Sequence, residues 1–134
     1  MKSELSTSVE ALDTEKKFAV GNDLVFIPGF KNSMTDQFKQ KVYTTSEIAY
    51  CSMFDDALLR YASTWAAKEA VYKALKQLDP RPLNWKQLEI TRDKIAGKPN
   101  VILHHDPDKY QISLTISHDG DYVWAIALIQ IDLP

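Results

Sequence analysis

Within the stretch WAAKEAVYK, Trp65 to Lys73, an acid and an amine stand four residues apart. On a helix Glu69 and Lys73 share one face, with Trp65 a turn before them. Two readings of the pair are open. As a surface ion pair it would contribute a few tenths of a kcal/mol. As a site, the carboxylate would hold a cation while the ammonium holds a phosphate, which better explains charge in the middle of the chain's most apolar helix. Mg²⁺ suits such a carboxylate, because it takes oxygen ligands and often only one or two from protein. Asp23 is a second acid in unusual company, between Asn22 and the apolar run Leu24-Val25-Phe26-Ile27. Buried, it would need a partner. Taken alone, it reads as a strand-edge carboxylate facing water.

Ser117-His118-Asp119 holds the three residue types of a hydrolase triad, but neighbours in one chain segment do not face one another as a triad requires. The segment reads either as an Asx-type turn or as a hairpin mouth whose Ser and His contact a phosphate. Gly97-Lys98-Pro99 reads as a loop, with ligand lining as the alternative. His104-His105 reads as solvated loop, without the further spaced ligands of a zinc site.

The elements that must position these groups follow from pattern. Phe18 to Ile27 is rich in Phe and Val and ends at Pro28-Gly29, so it is predicted to be a strand running into a turn. Ser33 to Tyr43 is predicted helical, capped by Ser33 or Thr35, and Thr45 to Cys51 a short helix opened by Thr45 or Ser46. Asp55 to Leu78 contains no Gly or Pro and stops before Asp79-Pro80, which predicts one long helix. Its apolar residues run nearly all round the wheel, as in a helix that is central or shared with a neighbouring subunit. Leu88–Thr91 with Pro99–Leu103, and Tyr110–Ser117 with Tyr122–Ile131, read as two strand pairs. The second would turn over His118-Asp119-Gly120-Asp121. The expected fold class is α+β: an antiparallel sheet packed against one long central helix, with short helices beside it.

Composition narrows the function classes. The 134 residues suit a single domain, and 45% hydrophobic content suffices for a core. A net charge of −2 argues against a nucleic-acid binder. The single cysteine, Cys51, forbids an internal disulfide, so a cytoplasmic location is expected. No run approaches the ~18 apolar residues of a membrane span, and no membrane partner is expected. Residues 1–17 are polar and read as a flexible leader, leaving 18–134 as the domain.

Taken in order, these pieces resemble one family, the holo-acyl-carrier-protein synthase type of 4′-phosphopantetheinyl transferase. GNDLVFIPGF resembles the family's opening Gly-x-Asp strand, and VYTTSEIAYC its Phe-Thr-x-x-Glu segment. WAAKEAVYKAL is very close to its signature. GKPNV resembles its Gly-Lys-Pro loop and ISLTISHDGDYVWAIAL its closing Ser-His hairpin. The match runs from about Val20 to Ile129 in order and spacing.

The resemblance implies a transfer of 4′-phosphopantetheine from coenzyme A to a serine of an acyl carrier protein or carrier domain, with Mg²⁺ as cofactor and 3′,5′-ADP as the leaving product. It places Asp23 and Glu69 as metal-binding acids and Lys73 at the coenzyme A pyrophosphate. Gly97, Lys98 and Pro99 then lie beside the adenine, and Ser117 and His118 at the phosphorylated ribose. Asp23, Glu69 and Lys73 would be the catalytic set. Glu69 would take the serine proton directly or through a water on the metal. A homotrimer with coenzyme A between subunits is also implied. Rival readings are a related metal-dependent enzyme on another diphosphate and a non-catalytic module with the same fold.

Three departures from the family pattern stand out. Thr64 replaces an arginine that often precedes the aromatic, with Arg60 one turn earlier as a substitute. Lys76 to Pro80 replaces a Gly-rich turn. Gly29-Phe30-Lys31 is less basic than usual, which leaves two readings open: carrier docking that leans on apolar contact through Phe30 and Met34, or a Phe30 tucked into the core.

Overall fold

The computed structural model describes residues 18–95 and 97–131; the leader assigned to 1–17 lies outside the described residues. Strand β1, Phe18–Phe26, alternates strictly: Ala19, Gly21, Asp23 and Val25 face inward while Phe18, Val20, Asn22, Leu24 and Phe26 face out. That alternation is the period-2 signature of a half-buried strand. β1 pairs antiparallel with the last strand, β5 (Tyr122–Ile131), which in turn pairs with β4 (Tyr110–Asp119), giving a three-stranded sheet of order β1-β5-β4. β2 (Leu88–Arg92) and β3 (Pro99–Leu103) form a separate antiparallel ribbon. The expected strand pairs are all present, in two sheets instead of one.

Between β1 and β2 run four helices, α1 (Ile27–Ser33), α2 (Asp36–Val42), α3 (Thr45–Cys51) and α4 (Ala57–Leu75), followed by a 3₁₀ turn at Trp85–Gln87. α4 is the long central helix that the composition predicts. β1 and β5 pack on one side of it, α3 and β2 on another. The sheet seam is lined with small residues: Ala19, Gly21, Ala125 and Ala127 meet Ala66, Ala67, Ala70 and Ala74, all buried. Gly21 shows how close the approach is. A Cβ there would come within 2.0 Å of the Ala70 carbonyl oxygen and 2.7 Å of the Ala74 nitrogen. The helix therefore lies against the strand backbone itself. Residues flanking Gly21 on β1 and residues flanking Ala70 on α4 are forced into each other's reach.

Three local expectations change. Pro28-Gly29 does not end in a turn: Pro28 occupies the first turn of α1, where its missing N–H costs nothing. The helix expected over Ser33 to Tyr43 is present as the shorter α2, and of its two candidate caps Thr35 is the one used, accepting from the Phe38 N–H at 3.1 Å. α3 is capped by Thr44, not Thr45 or Ser46. Thr44 and Glu47 form a reciprocal capping box, Thr-x-x-Glu. At the far hairpin β4 continues through His118 and Asp119, so the loop is only Gly120-Asp121. Gly120 takes the left-handed conformation (φ +57°) that such a tight connection requires.

Phe30 is buried at 6% exposure, edge-on to Phe38 with ring centroids 6.0 Å apart. The reading in which it offers carriers an apolar docking surface is therefore wrong: the α1 turn directs the ring into the core. Met34, half-buried beside it, packs on the same core.

Candidate active site

The Gly21–Ala70 contact places Asp23, two residues along β1, under the α4 face that carries Glu69 and Lys73. Asp23 is 8% exposed, so its carboxylate is a buried charge that needs partners. Lys73 supplies one: its Nζ donates to Asp23 Oδ1 at 2.8 Å and to the Asn22 carbonyl at 3.1 Å. Both single-segment readings are thus superseded. Asp23 faces inward, and the lysine's ion-pair partner is Asp23 across the fold rather than Glu69 along the helix.

Glu69, one helical turn before Lys73, completes the cluster. Its carboxyl is pushed up to about 7, by burial first, then by a hydrogen bond to Asp23 and by that residue's negative charge, with Lys73 pulling the other way. Lys73 is held above its usual range, chiefly by its hydrogen bond to Asp23. Glu69 thus tends to keep its proton beside Asp23, next to an ammonium whose side chain is 52% exposed. Such a pair favours positive charge between the carboxylates. A small divalent cation that takes oxygen ligands, one or two of them from protein, fits this donor set.

Ser117 and His118 lie elsewhere. They are exposed, on opposite faces of β4, and line a cleft of about 220 Å³ together with Arg60, Ser63 and Arg92. The register relates the two places: Asp23 is opposite Ala125 on β5, and Ala125 is opposite Ile116 on β4. Two strand spacings, about 10 Å, separate the rows. The Gly97-Lys98-Pro99 loop joins the cleft through Arg92, whose Nη1 donates to the Gly97 carbonyl at 3.3 Å. Pro99 opens β3 and pairs with Arg92, while Lys98 is exposed. Of the residues singled out in sequence, Asp23, Glu69 and Lys73 therefore converge. Ser117 and His118 line a second cleft, and the Gly97 loop, on the separate β2-β3 ribbon, touches it only through Arg92.

Two features escaped the sequence reading. Lys68 is wholly buried and donates to Glu47 Oε1 at 2.6 Å, while Glu47 Oε2 accepts from the Ile90 N–H at 2.8 Å. Burial pulls the Lys68 amine below its ordinary range, with Glu47 opposing. This pair ties α3, α4 and β2 together, and since Lys68 adjoins Glu69 it fixes which way α4 turns Glu69. The Thr44-x-x-Glu47 pattern was the available signal. Arg92, at the cleft, had none.

His104 is exposed and contacts Glu89 Oε1 at 3.0 Å. His105 lies with Asp79 and Asp106 in a group of metal-ligand type, but Arg81 already bridges those two carboxylates at 2.7 and 2.9 Å. The arginine's hydrogen bonds hold Asp79 well below the usual carboxylate range. Among the described residues no helix is long and apolar enough to cross a membrane.

Comparison with known proteins shows the family. The family model described as the 4′-phosphopantetheinyl transferase superfamily matches residues 19–127. A holo-[acyl-carrier-protein] synthase of Chlorobaculum parvum is 40% identical over 93 residues, covering 69% of this chain and 79% of that protein. The enzyme of the same name from Chlorobaculum tepidum is 33% identical, covering 83% and 97%. Among solved structures, an ACPS–CoA complex from Chronobacterium ammoniagenes superposes with a TM-score of 0.74 at 28% identity, covering 88% of this chain and all of that one.

Proposed function

The chain belongs to the 4′-phosphopantetheinyl transferase superfamily and is a transferase, and on that premise we propose that it is a holo-[acyl-carrier-protein] synthase. It would move 4′-phosphopantetheine from coenzyme A to a serine of an acyl carrier protein or carrier domain. The observation that carries this reading is the convergence of Asp23, Glu69 and Lys73 from β1 and α4 into one acid–acid–amine cluster.

In the reaction the carrier serine oxygen forms a bond to the β-phosphorus of coenzyme A, and the bond to 3′,5′-ADP breaks. The serine proton must leave as the new bond forms. Glu69, a carboxyl poised near neutrality, is the group placed to accept it. Lys73, exposed and fully charged, turns to the pyrophosphate and neutralises charge building on its oxygens. Asp23 and Glu69 would hold Mg²⁺, which when bound supplies further charge neutralisation at the phosphoryl oxygens. Asp23 otherwise serves to hold Lys73 in place.

The pyrophosphate end would rest at Lys73. The nucleotide end would rest at Ser117 and His118, with Gly97, Lys98 and Pro99 beside the adenine. A homotrimer is proposed on a specific feature: Phe18, Val20, Leu24, Phe26, Tyr122 and Trp124 are 46–61% exposed, and the register sets them side by side on the outer face of β1 and β5. An apolar face of that extent marks an interface. The α4 surface invoked from sequence is instead buried within the chain. One domain over 18–134 and a cytoplasmic location complete the proposal. The last agrees with Cys51, which is buried and free, its thiol pushed up to about 11 by burial.

The test is incubation with coenzyme A, Mg²⁺ and candidate apo-carrier proteins. One carrier should gain a phosphopantetheine mass with equimolar 3′,5′-ADP. Release of 3′,5′-ADP without any modified carrier would favour the reading as an enzyme of another diphosphate reaction.

A further inference from the structure

Among the described residues β1 is an edge strand: β5 pairs with one side of it and no strand with the other. Alternate residues of such a strand turn their backbone groups to the open side. Two of those carbonyls, on Val20 and Asn22, are met by side chains from α4 and the turn after it. Lys73 Nζ donates to the Asn22 carbonyl at 3.1 Å, and Gln77 Nε2 to the Val20 carbonyl at 2.8 Å. Gln77 Nε2 also donates to the Lys73 carbonyl at 3.3 Å, one turn back, which fixes its direction. The two bonds straddle Gly21, where the strand backbone meets Ala70 and Ala74. Lys73 and Gln77 thus act where a neighbouring strand would, and they seat β1 just before Asp23.

Gln77 belongs to the segment Lys76 to Pro80, which departs from the family pattern. The segment keeps a helical course past the end of α4. The Lys76 N–H bonds to the Tyr72 carbonyl at 3.0 Å, then those of Gln77 and Leu78 bond to the carbonyls three residues back, at 3.2 and 2.9 Å. Such tightening is common at helix ends, and here it holds the side chain of residue 77 against β1. A glycine has no side chain to donate there.

The two contacts part company in the reaction. Lys73 also holds Asp23, and the proposed chemistry turns its ammonium to the pyrophosphate. The Asn22 carbonyl is then released, while nothing in that chemistry draws on the Gln77 amide. We infer that Gln77 is a positioning residue that keeps β1, and with it Asp23, seated on α4 while Lys73 is engaged with substrate. This rests on the proposed engagement of Lys73 with coenzyme A. Gln77 acts through Asp23, so its loss touches turnover and leaves donor binding by Lys73 intact.

The experiment compares the wild-type chain with Gln77→Met, which keeps the length and loses the donor. Hydrogen exchange read by mass spectrometry follows the β1 peptide with and without saturating coenzyme A. Without it, β1 of the variant should exchange at nearly the wild-type rate, because Lys73 still holds the strand. With it, β1 of the variant should exchange about two- to tenfold faster than that of the wild type, the range one hydrogen bond predicts. In steady-state kinetics kcat should fall by a similar factor, with KM for coenzyme A unchanged. Faster exchange to the same degree with and without coenzyme A would overturn the proposal, since Gln77 would then be only structural. An unchanged kcat, or a KM that rises in its place, would overturn it too. A second arm needs no ligand. β1 should exchange faster in Lys73→Ala/Gln77→Met than the two single changes together predict. Absence of that excess refutes the clamp even if the chain binds no coenzyme A. Its presence, with no effect of coenzyme A on β1 of Gln77→Met, would refute the engagement of Lys73 with coenzyme A and spare the clamp.

Discussion

Changing Glu69→Gln should make the metal-free protein more stable at high pH while removing its response to Mg²⁺. The native Glu69 carboxyl sits near 7, against an ordinary 4.5. Between those values the folded chain keeps a proton that the unfolded chain has released. The stability so gained is complete below about 4.5 and is lost as pH rises through about 7. At about 1.36 kcal/mol per pH unit the span amounts to about 3 kcal/mol. Glu69 is only half-buried and opens toward the exposed Lys73, so solvent screening reduces this to about 1–2 kcal/mol. The substituted amide would donate an N–H to Asp23 much as the protonated acid does, and it has no charge to develop. Melting curves in chelator at pH 5 and pH 8.5 isolate the cluster's effect, because groups outside the Asp23, Glu69 and Lys73 cluster titrate alike in both proteins. The wild type should lose about 5 °C more than the variant between the two pH values. Added Mg²⁺ at pH 8.5 should restore the wild type and leave Glu69→Gln unchanged. Parallel pH dependence of the two proteins, or equal stabilisation of both by Mg²⁺, would refute a Glu69 that keeps its proton beside Asp23.

Other expected outcomes follow from the same contacts. Lys73→Ala should weaken coenzyme A binding in calorimetry and slow transfer, and should also lower the melting temperature, because it leaves the buried Asp23 carboxylate without its cation. Gly21→Ala should destabilise the fold by about 1–3 kcal/mol in denaturant titration, since the new Cβ would strike the Ala70 carbonyl, and should cut transfer further by moving β1 off α4. Lys68→Met alone leaves Glu47 buried and unpaired and should cost about 3–5 kcal/mol; adding Glu47→Leu should recover much of that in the same titration. Leu24→Lys, on the exposed sheet face, should abolish a trimer in light scattering while leaving the circular dichroism of the chain intact.

How much of this was legible in the chain depended on the range of the interaction. β1 announced itself through apolar and small residues, and α4 through two dozen residues without Gly or Pro. The candidate residues stood out because their motifs are local. Their partners were not. Lys73 meets an acid fifty residues away, and nothing in the helix period favours Asp23 over the nearer Glu69. Nothing in the sequence marked Lys68 as buried, and only the folded packing of α3 and β2 shows it to be so. Pro28-Gly29 misled because Pro both ends strands and begins helices, and the outcome turned on Phe30 finding Phe38 in the core. The outer face of β1 was also illegible, because Phe18, Val20, Leu24 and Phe26 are as apolar as an inner face, so the pattern alone could not say which side meets the helix.

The central claim is that β1 and α4 build one phosphoryl-transfer centre from Asp23 and Glu69. Its most direct test is the transfer rate to a carrier protein, at saturating coenzyme A and Mg²⁺, for Asp23→Asn, Glu69→Gln and the two combined. Groups that act as a unit are lost as a unit. Each single change should lower the rate by on the order of a hundredfold or more, and the double variant should be no slower than the worse single. Losses that multiply in the double variant, or a single variant with wild-type turnover, would contradict the account.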